Sequence, residues 1–141
     1  MNRFILGVLA YAVPTFILGY VWHLVLFQTY YDALAIYRSD IIIPFGLVSI
    51  LIQGTIFAWL YEKALAPRNG AFWSQALVYA ALGAALSWSY TTLAVGAKNV
   101  MASVPGYLLI ETGFTAAQWL IVGPLTALAF RRPLRLAHGQ A

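Results

Sequence analysis

The chain has 141 residues, 62% of them hydrophobic and 9% charged, with four acidic and eight basic side chains and no cysteine. So few charges cannot furnish the polar shell of a soluble domain, and the missing cysteine excludes disulfides, thiolate metal sites and cysteine nucleophiles. The net charge of +4 is not a nucleic-acid footprint, because the bases sit at the ends of apolar stretches and not in one patch.

The apolar residues gather into four stretches, 4–27, 41–61, 72–97 and 107–130. A hydrocarbon core about 30 Å thick is crossed by about 20 helical residues, and each stretch meets that length. Backbone groups in lipid have to be satisfied within their own segment, which predicts helices. The alternating segments of about ten residues that mark a transmembrane β-barrel are not visible. The expected fold class is all-α: a polytopic membrane protein of four antiparallel transmembrane helices in an up-down bundle, one domain over residues 1–141.

In chain order, Asn2-Arg3 opens the first span. With Ala10-Tyr11-Ala12 this start has the outline of a secretory signal, but the core before that site is short and the hydrophobicity runs on to Phe27, so it reads as a span. The loop 28–40 (QTYYDALAIYRSD) follows. If it is helical, Tyr30, Leu34 and Tyr37 share a face, and with Tyr31 they form an amphipathic patch that lies on the outer leaflet or docks on a partner. The connection 64–71 turns at Pro67 and Asn69-Gly70. In 98–106, Ser103 is placed to cap the last helix and Pro105 suits its first turn. Pro14 and Pro124 are expected to kink their helices.

Small residues four apart mark packing faces: Ala80, Gly83, Ala84 and Ser87 on the third span, Gly54 and Ala58 on the second, Gly113 and Ala117 on the fourth. Arg3, Lys63, Arg68, Arg131, Arg132 and Arg135 fall on one side, against Arg38 and Lys98 on the other. This bias predicts both termini in the cytoplasm of a bacterial inner membrane. Trp22, Tyr30, Tyr31 and Tyr37 then form an outer aromatic belt, and Trp59, Tyr61, Phe72 and Trp73 an inner one. The tail Arg131-Arg132-Pro133-Leu134-Arg135 anchors the inner side, with anionic-lipid binding as its other reading.

The first span carries Gly19-Tyr20-Val21-Trp22-His23 and then Leu26-Phe27; Trp88 and Tyr90 mark the third, and a polar strip from Glu111 the fourth. This combination resembles a family of small four-span bacterial membrane proteins known only as a domain of unknown function. The resemblance covers most of the chain and implies no reaction, substrate or cofactor. His23 stands where that pattern has another aromatic residue, and the first loop is longer here.

Two ionisable residues lie inside the spans, His23 and Glu111, each about one turn from the outer end. Such residues are expensive in lipid and mark candidate sites. Glu111, Thr115 and Gln118 follow helical spacing on the fourth span, as do Gly46, Ser49 and Gln53 on the second and Ser87 and Thr91 on the third. Polar strips avoid lipid by facing one another. This predicts a polar cavity with His23 and Glu111 at its neck, and with Asp32, Asp40, Arg38, Lys98 and Asn99 around its outer mouth. The cavity would bind or move a small polar solute, a proton or an ion.

The plainer reading is that His23 and a protonated Glu111 simply tie helices together. One histidine with scattered carboxylates lacks the close ligand spacing of a metal site, so His23 and Glu111 are weak ligands. No phosphate loop, nucleophile elbow or metalloprotease helix appears, which leans against an enzyme and names no cofactor. Ser87, Ser89 and Thr91 read as hydroxyls bonded back to their own helix. The competing function is an accessory or scaffold subunit, docking on a larger complex through the aromatic loop and the small-residue faces. The expected partners are the bilayer, a second copy or a larger membrane complex, and no nucleic acid.

Overall fold

The computed structural model describes residues 2–68 and 70–131. Four long helices, α1 (Arg3–Leu26), α3 (Ile43–Arg68), α4 (Phe72–Lys98) and α5 (Val104–Phe130), are each long and apolar enough to cross a membrane. A short helix, α2 (Gln28–Leu34), lies between the first two. Large apolar side chains such as Ile17, Phe45, Ile56, Leu77, Leu109 and Leu120 are exposed along these helices. Lipid contact removes the solvation penalty that water would impose on them.

The helix starts follow local chemistry. Asn2 accepts from the Phe4 amide at 3.0 Å and caps α1. Ser103 accepts from the Gly106 amide at 3.2 Å, with Pro105 in the first turn of α5. Pro44 opens α3 likewise. Helix α2 stops at Ala35, whose left-handed backbone (φ 55°) turns the chain.

The central pair is α1 and α5; α3 packs on α1 and α4 on α5. Glycines set the close approaches. A Cβ on Gly83 would overlap the Trp119 ring, one on Gly7 would overlap Phe130, and one on Gly123 would stand 2.9 Å from the Ala76 carbonyl. Gly54 lies against Tyr11 and the Val8 carbonyl, and Ala58 beside it is fully buried. The core between them is aromatic. Trp119 packs edge-on against Phe57 at 4.8 Å and Tyr79 at 5.5 Å, with Tyr11 at 5.8 Å.

Three of the helices contain a wider π-helical turn: Trp22–Leu26 in α1, Tyr61–Leu65 in α3 and Trp88–Leu93 in α4. The first of these carries His23. Such turns free backbone groups and re-aim side chains. The second also carries α3 on to Arg68, well beyond the apolar stretch that ends at Tyr61. The connection to α4 is correspondingly shorter than the 64–71 turn expected.

Several residues expected at the membrane interface are internal. Tyr61 is buried, stacks on Phe130 at 5.1 Å and donates to Gln75 Oε1 at 3.2 Å. Tyr31 and Leu34 are buried too, with Tyr107, because α2 folds back onto the bundle. The Ala102 amide donates to the Leu34 carbonyl at 3.0 Å, joining this segment to the 99–103 loop. The expected patch is therefore divided, with Tyr31 and Leu34 facing inward and Tyr30 and Tyr37 exposed. Trp59 and Trp73 remain exposed. Arg132 and Arg135, with most of the basic tail, lie outside the described residues.

Candidate functional site

The π-turn of α1 brings His23 to the end of the bundle that carries α2 and the 99–103 loop. There His23 Nε2 lies 3.2 Å from Glu111 Oε1 of α5, and its Nδ1 lies 2.9 Å from the Gly19 carbonyl oxygen. Tyr31 of α2 donates to the same Glu111 oxygen at 2.7 Å. The Tyr31 ring stacks on Tyr37 at 5.1 Å and tilts against His23 at 4.9 Å, and Phe114 closes the other side of the imidazole at 4.4 Å.

This geometry fixes the proton inventory. A carbonyl only accepts, so the Gly19 contact requires a hydrogen on Nδ1. The Nε2–Oε1 bond then needs its own proton, supplied by an imidazolium or by a carboxylic acid. In either form the pair is neutral overall, with one hydrogen between the two atoms. Tyr31 serves as a fixed donor. Its burial, and then the hydrogen bond and charge of Glu111, push its phenol far above the usual range.

The pair is asymmetric in access. Glu111 is 6% exposed, whereas His23 lines two adjoining cavities. One, of about 230 Å³, is a polar recess with Gln28, Asp32, Arg38 and Ser39 on its walls. The other, of about 400 Å³, runs between α1 and α3 and is walled mainly by aliphatic side chains. Arg38 meets Asp40 through two bonds, Nε to Oδ1 at 2.9 Å and Nη2 to Oδ2 at 3.0 Å, on an exposed surface. Lys98 and Asn99 end α4 at the same side of the bundle, and neither is on the wall of these two cavities.

The remaining expected residues form two further groups. In the first, Tyr11 donates to Gln53 Oε1 at 2.7 Å, Gln53 Nε2 to Ser49 Oγ at 3.0 Å, and Gln118 Nε2 to Thr15 Oγ1 at 3.1 Å. This network joins α1, α3 and α5, running from the buried Gln118 out to the exposed Ser49, and Thr115 is buried one turn from Gln118. In the second, Trp119 Nε1 donates to Ser87 Oγ at 3.0 Å, Ser87 bonds back to the Gly83 carbonyl, and Thr91 to the Ser87 carbonyl. A cleft of about 270 Å³ between α3 and α4 touches Gln53, Ser87 and Thr91. The expected polar residues are thus spread over three places, with His23 and Glu111 together in one.

Tyr11, Thr15 and Tyr31 were not anticipated as partners of the polar groups. The signal was present for two of them: Tyr11, Thr15, Gly19 and His23 recur every fourth residue, one face of α1. Among the described residues no group of three or more His, Cys, Asp or Glu side chains stands together to hold a metal ion. His23 and Glu111 supply two donor atoms, which are bonded to each other.

No family model matches the chain, and no curated protein or solved structure is similar to it. The likeness to four-span membrane proteins therefore extends to the four long apolar helices and identifies no family.

Proposed function

We propose that this chain is a membrane-embedded binding or transport module that takes a polar group of its ligand at His23 and couples that contact to one proton. The observation that carries this reading is the bonding of His23. Nδ1 is held by the Gly19 carbonyl, and Nε2 by a carboxylate oxygen that also receives the Tyr31 hydroxyl. A hydrogen-bonding group arriving beside His23 competes with Glu111 for the hydrogen on Nε2, so ligand and proton influence each other's binding.

Arg3, Lys63, Arg68 and Arg131 at one end, against Arg38 and Lys98 at the other, support an orientation with the His23 end facing away from the cytoplasm of a bacterial inner membrane. The test is native mass spectrometry of the protein released from its membrane in mild detergent. A stoichiometric adduct that disappears in both His23→Gln and Glu111→Gln is the expected result. Adducts insensitive to both substitutions would sink the reading.

A second reading, an accessory subunit, draws support from the cleft between α3 and α4, which the exposed Thr91 and the half-buried Gln53 and Ser87 line. Tyr31 and Gly83 do not report on that reading, because both are internal. Thr91→Leu does: loss of a co-purifying polypeptide supports the subunit role, and an unchanged preparation counts against it.

A further inference from the structure

The larger of the two cavities is not used by the reading above. Its walls include Phe16, Leu24, Leu47 and Ile50, and it contains two glycines, Gly19 of α1 and Gly46 of α3. Elsewhere in this bundle glycines exist to admit a neighbour, as Gly83 admits Trp119. Gly19 and Gly46 admit nothing: a Cβ built on either meets no heavy atom within 4 Å. The two helices leave a slot where a close helix contact was affordable. Tyr20, Ile43 and Leu47 on its walls are also exposed on the outside of the bundle, so the slot opens sideways toward lipid.

At its other end the slot shares His23, Leu24, Tyr37, Arg38 and Ile41 with the polar recess. Among the slot's lining residues, Arg38 carries the one permanent formal charge. Two of its N–H groups are engaged by Asp40. A guanidinium has five, so donors remain for a second acceptor. The Arg38–Asp40 contact is also exposed, and such pairs exchange partners readily.

We propose that the double cavity binds one long-chain carboxylic acid, with its hydrocarbon chain in the α1–α3 slot and its carboxylate on the free N–H groups of Arg38, taking the place of Glu111 at His23 Nε2. The slot has the volume and apolar lining of a small-ligand pocket with a few polar groups at one end. A carboxylate matches the planar fork of arginine. Asp32 on the far wall of the recess disfavours a bulkier, more highly charged head such as a phosphate. The assignment rests on the reading of His23 as the polar contact. It adds which molecule makes that contact and by which route, sideways from the bilayer.

The test uses the full chain in a non-ionic detergent with added palmitate, read by native mass spectrometry. The wild type should carry one palmitate. Gly46→Leu, which projects into the slot from a position where a Cβ meets no neighbour, should lose it or bind at least about tenfold more weakly, with an unchanged thermal melt showing that the fold is intact. Arg38→Gln should weaken binding as well. Palmitate bound equally well by Gly46→Leu would overturn the assignment, and so would a preference for a monoacyl phosphate over palmitate. A hydrophilic adduct that needs His23 but survives Gly46→Leu would refute the chain slot and keep the His23 site. Adducts indifferent to both His23 and Gly46 would remove the site itself.

Discussion

Replacing Glu111 by Leu removes the side-chain acceptor of a buried tyrosine. Tyr31 is 0% exposed, and its hydroxyl is bonded to Glu111 Oε1. An orphaned buried hydroxyl costs roughly 1–3 kcal/mol in water-soluble proteins, whereas single interhelical hydrogen bonds within membranes average only about 0.6 kcal/mol. Two bonds end on this oxygen, and His23 keeps its Gly19 contact and partial access to the recess. The expected loss is therefore about 1–3 kcal/mol. Glu111→Gln keeps one acceptor oxygen and should lose about half as much. The assay is reversible unfolding in mixed micelles with increasing dodecyl sulfate, followed by far-UV circular dichroism and tryptophan fluorescence. Adding Tyr31→Phe on top of Glu111→Leu should cost almost nothing, because the hydroxyl is already orphaned. Fully additive losses, or a Glu111→Leu variant as stable as wild type, would refute the claim that these groups form one bonded unit.

Three further outcomes follow from other parts of the bundle. Gly83→Ala should destabilise by about 1–3 kcal/mol, since overlap with Trp119 outweighs the roughly 1 kcal/mol gained in helix propensity, while Gly46→Ala should be neutral or stabilising; the same unfolding assay compares them, and equal effects would contradict the packing. Gln118→Leu deprives Thr15 of its donor and should lose about 0.5–2 kcal/mol, with a gain in stability as the refuting result. Tyr31 sits above its usual value near 10 because of burial and then Glu111. Its contribution to stability is complete below about pH 10 and is lost as the pH climbs further, since the unfolded phenol ionises first. Alkaline melts should lose part of that decline in Tyr31→Phe, and an identical decline would count against it.

The spans were legible because lipid imposes a length and an apolar composition that few other environments require. Their ends were less so. Glu62 and Lys63 fall beyond the apolar stretch that ends at Tyr61, yet both belong to a helix that continues to Arg68. The capping of α5 by Ser103 and Pro105 was readable because it is local chemistry. Two members of the aromatic belts, Tyr31 and Tyr61, were not, because tyrosine is equally at home at an interface and in a core when its hydroxyl finds a partner. Tyr61 found Gln75, and Tyr31 found Glu111. Periodicity was of little help where every face of a helix is apolar. On α5 the polar strip of Glu111, Thr115 and Gln118 was plain, and all three are buried. On α1 the matching strip of Tyr11, Thr15, Gly19 and His23 was masked, since its first three members are ordinary in lipid. The slot at Gly19 and Gly46 has no sequence signature at all. A glycine that admits a neighbour and one that leaves a void look alike until the helices are placed.

The most direct measurement is the ¹⁵N spectrum of His23 in the wild-type protein and in Glu111→Gln. The account predicts a hydrogen on Nδ1 in the wild type, with Nε2 bonded to Glu111 and responding to that substitution. A neutral imidazole with its hydrogen on Nε2 and a bare Nδ1 would contradict it, as would a spectrum that Glu111→Gln leaves unchanged.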